Sequence, residues 1–231
     1  MGLVIGEVTI LREVKFDFSL EDILATPPLS KWRKSRNSRE QLEAAVERIR
    51  PAVERELNPR AIYRGVPTET SGIHAYSPPE PVTEAEFVGN IIVTPGELQY
   101  GKEHADGMFD DFVRDAIENV AVQRLSAVVG QRFRDEANEQ GYNTTRLFAP
   151  GSGVEHWPLE NRRYVFDSLP CEEIRVRLTD AGQVRPNKTV SCVIGFGPDI
   201  EQAPGLVSCE GCSKLPDCPY AGARDAIAAN S

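Results

Sequence analysis

Three cysteines fall close together near the end of the 231-residue chain, in the run Cys209-Glu-Gly-Cys212-Ser-Lys-Leu-Pro-Asp-Cys218-Pro219-Tyr220. A C-x2-C pair folds back so that both thiolates reach one metal, and a third cysteine shortly after them closes three corners of a tetrahedron. Proline directly after the last cysteine is also a feature of iron–sulfur loops, where it turns the chain away from the cluster. Zinc and an iron–sulfur cluster are both open readings, with free or redox-active thiols as the plain alternative. The fourth ligand is not evident. Cys192 shares a strand face with Val190, Ile194 and Phe196, the position of a small core residue. Cys171, after Pro170 at an expected helix end, should be more exposed. The fourth place is therefore left to Cys192, to an exogenous ligand, or to a partner's residue.

A second constellation is Thr145-Arg146-Leu-Phe148-Ala-Pro150-Gly151-Ser152-Gly153-Val-Glu155-His156-Trp157-Pro158-Leu159-Glu160. Glycines allow a backbone to approach a ligand, and an arginine fork holds a carboxylate with two hydrogen bonds. Arg146, Pro150, Gly151, Ser152 and Gly153 are the candidate binding residues, the alternative being a structural turn with Arg146 paired on the surface. A third group, Asp115, Glu118 and Asn119, interrupts an otherwise apolar helix pattern. These side chains either line a cleft beside the loop or form a solvated helix face.

The elements that must hold these groups follow from periodicity. Met108 to Gln140 places Phe109, Phe112, Val113, Ala116, Ile117, Val120, Ala121, Val128 and Val129 at spacings of three and four, which predicts a long helix ending at Gly141. An earlier helix is predicted from a capping box at Ser38 and Gln41, with Pro51 expected to kink or split it. Strands are predicted within residues 3 to 18, at Ala61-Ile62-Tyr63 and from Phe87 to Thr94. Two more, around Ile174-Val176-Leu178 and Val190-Cys192-Ile194-Phe196, are expected to form a C-terminal unit. A short helix is expected around residues 160 to 169. The expected organisation is an α+β domain over 1–197 and a Cys-rich loop with a frayed tail over 198–231.

Composition narrows the partners. A formal charge of −9 repels a phosphate backbone, and no basic stripe interleaved with aromatics reverses it, so nucleic acid is not expected. No apolar run approaches the ~20 residues that span a bilayer. The opening Met1-Gly-Leu-Val-Ile-Gly-Glu7 has no basic stretch and is broken by Glu7, and five cysteines make an odd number. A cytoplasmic protein is expected.

The Thr145–Glu160 run resembles the R-x-F-S-P-G-Y-G-D-W-P-L-E pattern of the activation domain of cobalamin-dependent methionine synthase and its stand-alone relatives. Four further stretches resemble that family in its order. They are Asn58-Pro59-Arg60-Ala61-Ile62-Tyr63, Asp115-Ala116-Ile117-Glu118-Asn119-Val120-Ala121, Arg185-Pro186-Asn187-Lys188-Thr189-Val190-Ser191, and the cysteine loop, which resembles the tail of the stand-alone members. Ser152 stands where the family has Tyr. The resemblance implies a curved, mainly antiparallel sheet flanked by helices, and S-adenosylmethionine bound by the Arg146–Gly153 loop beside Asp115, Glu118 and Asn119. It also implies a corrinoid that is capped while it is reduced and remethylated. His104 and Gly107 match half of a corrinoid-binding D-x-H-x-x-G motif, but Lys102 occupies the Asp position. Cobalamin is therefore expected on a partner, a corrinoid protein or a methyltransferase subunit. The expected activity is methyltransferase-related, the alternative being a metal-stapled, non-catalytic module docked on such a system.

Overall fold

The computed structural model describes residues 3–32, 35–98, 107–152 and 157–207. Its centre is a five-stranded antiparallel sheet in the order β1 (Val8–Arg12), β2 (Arg60–Pro67), β3 (Phe87–Thr94), β7 (Val190–Gly197), β4 (Asn143–Thr144). β3 lies between β2 and β7, so both of its edges are paired, and because both of its faces are also packed in the core its sequence, Phe-Val-Gly-Asn-Ile-Ile-Val-Thr, is mostly apolar. The architecture is α+β, a mainly antiparallel sheet flanked by helices.

One face of the sheet packs on the second half of helix α5 (Met108–Asn138). Ala61, Tyr63, Ile91, Cys192, Ile194 and Phe196 meet Leu125, Val129, Phe133 and Ala137 there. The other face presents Ile62, Val88, Ile92 and Val193 to Trp157, Tyr164, Val165 and Ile174. The first half of α5 leaves the sheet and joins α1 (Leu20–Ala25), α2 (Leu29–Trp32) and α3 (Arg36–Glu56) in a helical layer around Ile23, Leu24, Leu42, Val46, Ile117 and Val120. Asp22 of α1 closes that layer. It completes a capping box with Ser19, and both carboxylate oxygens accept from Arg124 of α5 at 3.0 and 2.9 Å.

Several expectations need correcting. Helix α3 starts a turn earlier than the predicted box, because Ser35 supplies the cap and its hydroxyl accepts from the Ser38 N–H at 3.2 Å. Pro51 does not split it. Both Pro51 and Glu47, whose carbonyl loses its helical donor, are exposed, so water can serve that carbonyl. Phe109 and Phe112 follow the apolar period of α5 yet are 42% and 39% exposed, packed against Trp32 at ring-centroid distances of 6.0 and 5.4 Å. Cys171 is buried, in a 3-10 turn spanning Cys171–Ile174 that replaces the first part of the predicted strand. The strand around Leu178 does not pair with β7. β5 (Arg177–Leu178) forms its own ribbon with β6 (Val184–Arg185), while β7 inserts between β3 and β4. α4 (Glu80–Thr83), α6 (Arg162–Asp167) and 3-10 turns at Ile73–Tyr76 and Leu159–Asn161 complete the described elements.

Candidate functional site

The Arg146 segment hangs on the free edge of β7. The Thr145 N–H donates to the Gly195 carbonyl at 2.9 Å, and the Phe148 and Val193 backbones bridge at 2.8 Å in both directions. The chain thus runs antiparallel to β7, back toward that strand's start. There it turns: Ala149-Pro150-Gly151-Ser152 is closed by the Ser152 N–H on the Ala149 carbonyl at 3.1 Å, with Gly151 at φ 82°. Proline second and a positive-φ glycine third make a type II turn. The Cδ1 of the exposed Leu159 would lie 2.6 Å from a Cβ on Gly151, so any other residue would also have to push that side chain aside. The Arg146 guanidinium carbon sits 5.2 Å from the Phe148 ring centroid. Gly153 lies outside the described residues.

The helix group is not a solvated face. Asp115 and Asn119 are half-buried and Glu118 is fully buried. Lys188, two residues before β7, donates from Nζ to Asp115 Oδ1 at 2.5 Å and to Asn119 Oδ1 at 2.7 Å, and Asn119 Nδ2 donates to Asp115 Oδ2 at 2.8 Å. Glu118 Oε1 accepts from Arg114 Nε at 2.9 Å, and Arg114 also reaches Glu56 Oε2 at 2.5 Å. Glu118 Oε2 is buried with no hydrogen-bond partner. Burial raises the Glu118 pKa against the opposing pull of Lys188 and Arg114. The result is a compact, alternately charged cluster at the end of β7 toward which the Pro150–Ser152 turn runs. Sequence reading named Asp115, Glu118 and Asn119 but missed Arg114, Lys188 and Glu56 as their partners. The Arg114–Glu118 spacing of four was a readable signal, whereas Lys188 arrives from a distant strand.

Cys192 points into the core between the sheet and α5, and burial pushes its thiol up to about 12. Cys171 is likewise pushed up to about 12 by burial and by the charge of Glu172. Cys209, Cys212 and Cys218, like His104 and Lys102, lie outside the described residues. Among the described residues no three His, Cys, Asp or Glu side chains gather to hold a metal ion, and no helix is long and apolar enough to cross a membrane.

No protein-family model matches the chain, and no curated protein matches it in sequence. Among solved structures it is similar to the MetH reactivation domain bound to AdoHcy, with a TM-score of 0.55 over 87% of this chain and 81% of that one, at 15% identity. The two share a fold. That fold carries the Arg146 segment on a sheet edge and the Asp115–Asn119 face on the long helix crossing the sheet. At this identity the likeness speaks for architecture, not for the side chains of either group.

Proposed function

We propose that this protein is a reactivation-type partner of a corrinoid protein, holding S-adenosylmethionine while the partner's cobalamin is returned to its methylated state. The observation that carries the reading is the shared fold with a reactivation domain bound to AdoHcy, joined to five sequence stretches in the order of that family. The donor set fits the ligand. S-adenosylmethionine carries a carboxylate, an amine, ribose hydroxyls and a sulfonium cation, and Glu118 Oε2 is a buried acceptor still lacking a donor. Arg146 would take the carboxylate through its fork. The Pro150–Gly151 turn would fix the approach of the backbone, and Asp115 and Glu118 would supply negative charge near the cationic groups. When bound, S-adenosylmethionine supplies a methyl group. This chain's own residues orient it and exclude water around it. Cys209, Cys212 and Cys218 would hold zinc as a staple or an iron–sulfur cluster as an electron carrier, and which metal copurifies distinguishes those roles.

A second reading is favoured by two observations: the Lys188 ammonium already occupies Asp115 and Asn119, and Ser152 replaces the family's Tyr. A fold retained as a docking module would look this way. Calorimetric titration of S-adenosylmethionine decides between the two. The expected result is saturable binding that Arg146→Ala weakens by about 1.5–3 kcal/mol, the range for hydrogen bonds between charged groups, with the melting temperature unmoved and no rescue by lysine. Absence of binding at millimolar ligand, with a complex still formed on a corrinoid protein, supports the docking module instead.

A further inference from the structure

Arg177 and Arg185 stand directly opposite each other as a cross-strand pair in the β5–β6 ribbon. Like charges in that position repel, with only about 5 Å between Cβ atoms. With Arg175 they line a cleft of about 480 Å³, shared with Glu97, Glu172 and Pro186. That volume is within the range of small-molecule sites. The Arg185 guanidinium donates to the side-chain oxygens of Asn187 and Gln183, neutral acceptors that orient it without cancelling its charge. Among the described residues, Arg175 and Arg177 form no side-chain hydrogen bond or ion pair, and neither Glu97 nor Glu172 pairs with any of the three guanidinium groups. Arg175 holds the left-handed conformation at φ 59°, sparsely populated for a side chain of its size. Behind it, Arg60 is half-buried, and burial together with the charges of Arg175 and Arg12 lowers its pKa. Among the described residues Arg12 alone of this group has an acidic partner, Glu173 at 3.3 Å.

A chain of net charge −9 thus gathers three arginines against two glutamates in one concave place, an excess of positive charge among the described residues. Such an arrangement costs stability when empty and is relieved by an anion. We propose that this cleft binds the phosphate ester of a small hydroxyl-bearing molecule, its phosphate held by the forks of Arg175, Arg177 and Arg185 and its hydroxyls by Glu97 and Glu172. A single carboxylate engages one fork, whereas a phosphate offers three oxygens and nearly two charges, which suits three guanidinium groups lining one cleft. The proposal is independent of the Arg146 loop and of S-adenosylmethionine.

Ribose 5-phosphate, inorganic phosphate and citrate, titrated at constant ionic strength and followed by calorimetry and melting temperature, test it. Ribose 5-phosphate is expected to bind saturably in the millimolar range or tighter and to raise the melting temperature by mass action. Arg175→Gln and Arg177→Gln are each expected to weaken it by about tenfold or more, as loss of a charge-assisted fork does. Arg36→Gln, on the exposed face of α3, should change nothing. Because the repulsion is also removed, Arg177→Gln should melt higher than wild type without ligand. Unsaturable binding, or binding untouched by both arginine variants, overturns the site. Citrate or inorganic phosphate binding as tightly as ribose 5-phosphate overturns the ester, and a single-stranded oligonucleotide binding in preference to all three overturns the small molecule.

Discussion

A carboxylate with one oxygen satisfied and the other sealed from water without a donor should betray itself in the pH dependence of folding. Glu118 is that group. Burial raises its native pKa above the ordinary 4.5, with Lys188 and Arg114 opposing, so the folded state binds the proton more tightly than the unfolded chain does. Stability from this residue is therefore complete below the ordinary glutamate range and is lost as pH rises from there through the raised native value. Glu118→Gln keeps the shape and Oε1 as an acceptor but removes the titration. Its stability relative to wild type should climb over that window and then level off. Urea midpoints collected from acid to neutral pH measure the difference, and a difference independent of pH would mean that Glu118 keeps an ordinary pKa.

Between elements, the contact that sets the height of α5 above the sheet is the absence of a side chain at Gly89. A Cβ there would meet the Phe133 ring at 2.4 Å and Ile194 at 2.8 Å. Phe133 in turn packs on Tyr63 and Phe196 at centroid distances of 5.5 and 5.3 Å, so it has nowhere to retreat. Gly89→Ala should destabilise the protein by about 1–3 kcal/mol, the usual cost of overpacking, read from chemical denaturation. A neutral result would show that α5 can lift off the sheet freely. Both partners of this contact were readable beforehand. β3 is a short run of apolar and β-branched residues, and α5 has a sustained period near 3.6, so each announces itself locally. Local pattern also foretold the helix end near Gly141. It failed where pairing is non-local: two-residue strands such as β5 and β6 carry no period, and nothing in residues 184–197 says that β7 will lie beside β3 rather than beside its neighbour in sequence. The site was legible to the same extent. Asp115, Glu118 and Asn119 stood out as polar breaks in an apolar helix, but Lys188, which binds two of them, is joined to them only through the sheet. Ser35 was missed as a cap because the basic run around it reads as a solvated loop.

Across the whole molecule, α5 belongs to two cores, the helical layer at its start and the sheet at its end, and at about 46 Å it is long enough to link them rigidly. The two tryptophans lie on either side of this link. Trp32 packs on Phe109 and Phe112 at the helical end, and Trp157 is buried on the sheet face away from α5, its Nε1 donating to the Tyr76 carbonyl at 2.9 Å. If α5 couples the layers, Trp32→Phe and Trp157→Phe variants, each reporting through the remaining tryptophan, should unfold at the same denaturant midpoint as their own far-UV dichroism. Separate midpoints within either variant would mean that the helical layer melts on its own.

The strand order has a consequence for how the chain is made. β7 is the last strand of the sheet to be synthesised, yet it supplies the edge on which the Thr145–Phe148 segment is laid and the lysine that gathers Asp115 and Asn119. On the ribosome, Arg146 emerges well before the β7 edge that carries its segment, and β1, β2 and β3 are left with an open edge until residues 190–197 arrive. Closure of that edge is a long-range event, slow compared with forming α3 or α5. The candidate site residues thus come into register in a single late step, so a chain cut short before β7 would carry Arg146, Asp115, Glu118 and Asn119 and still not bring them into this arrangement.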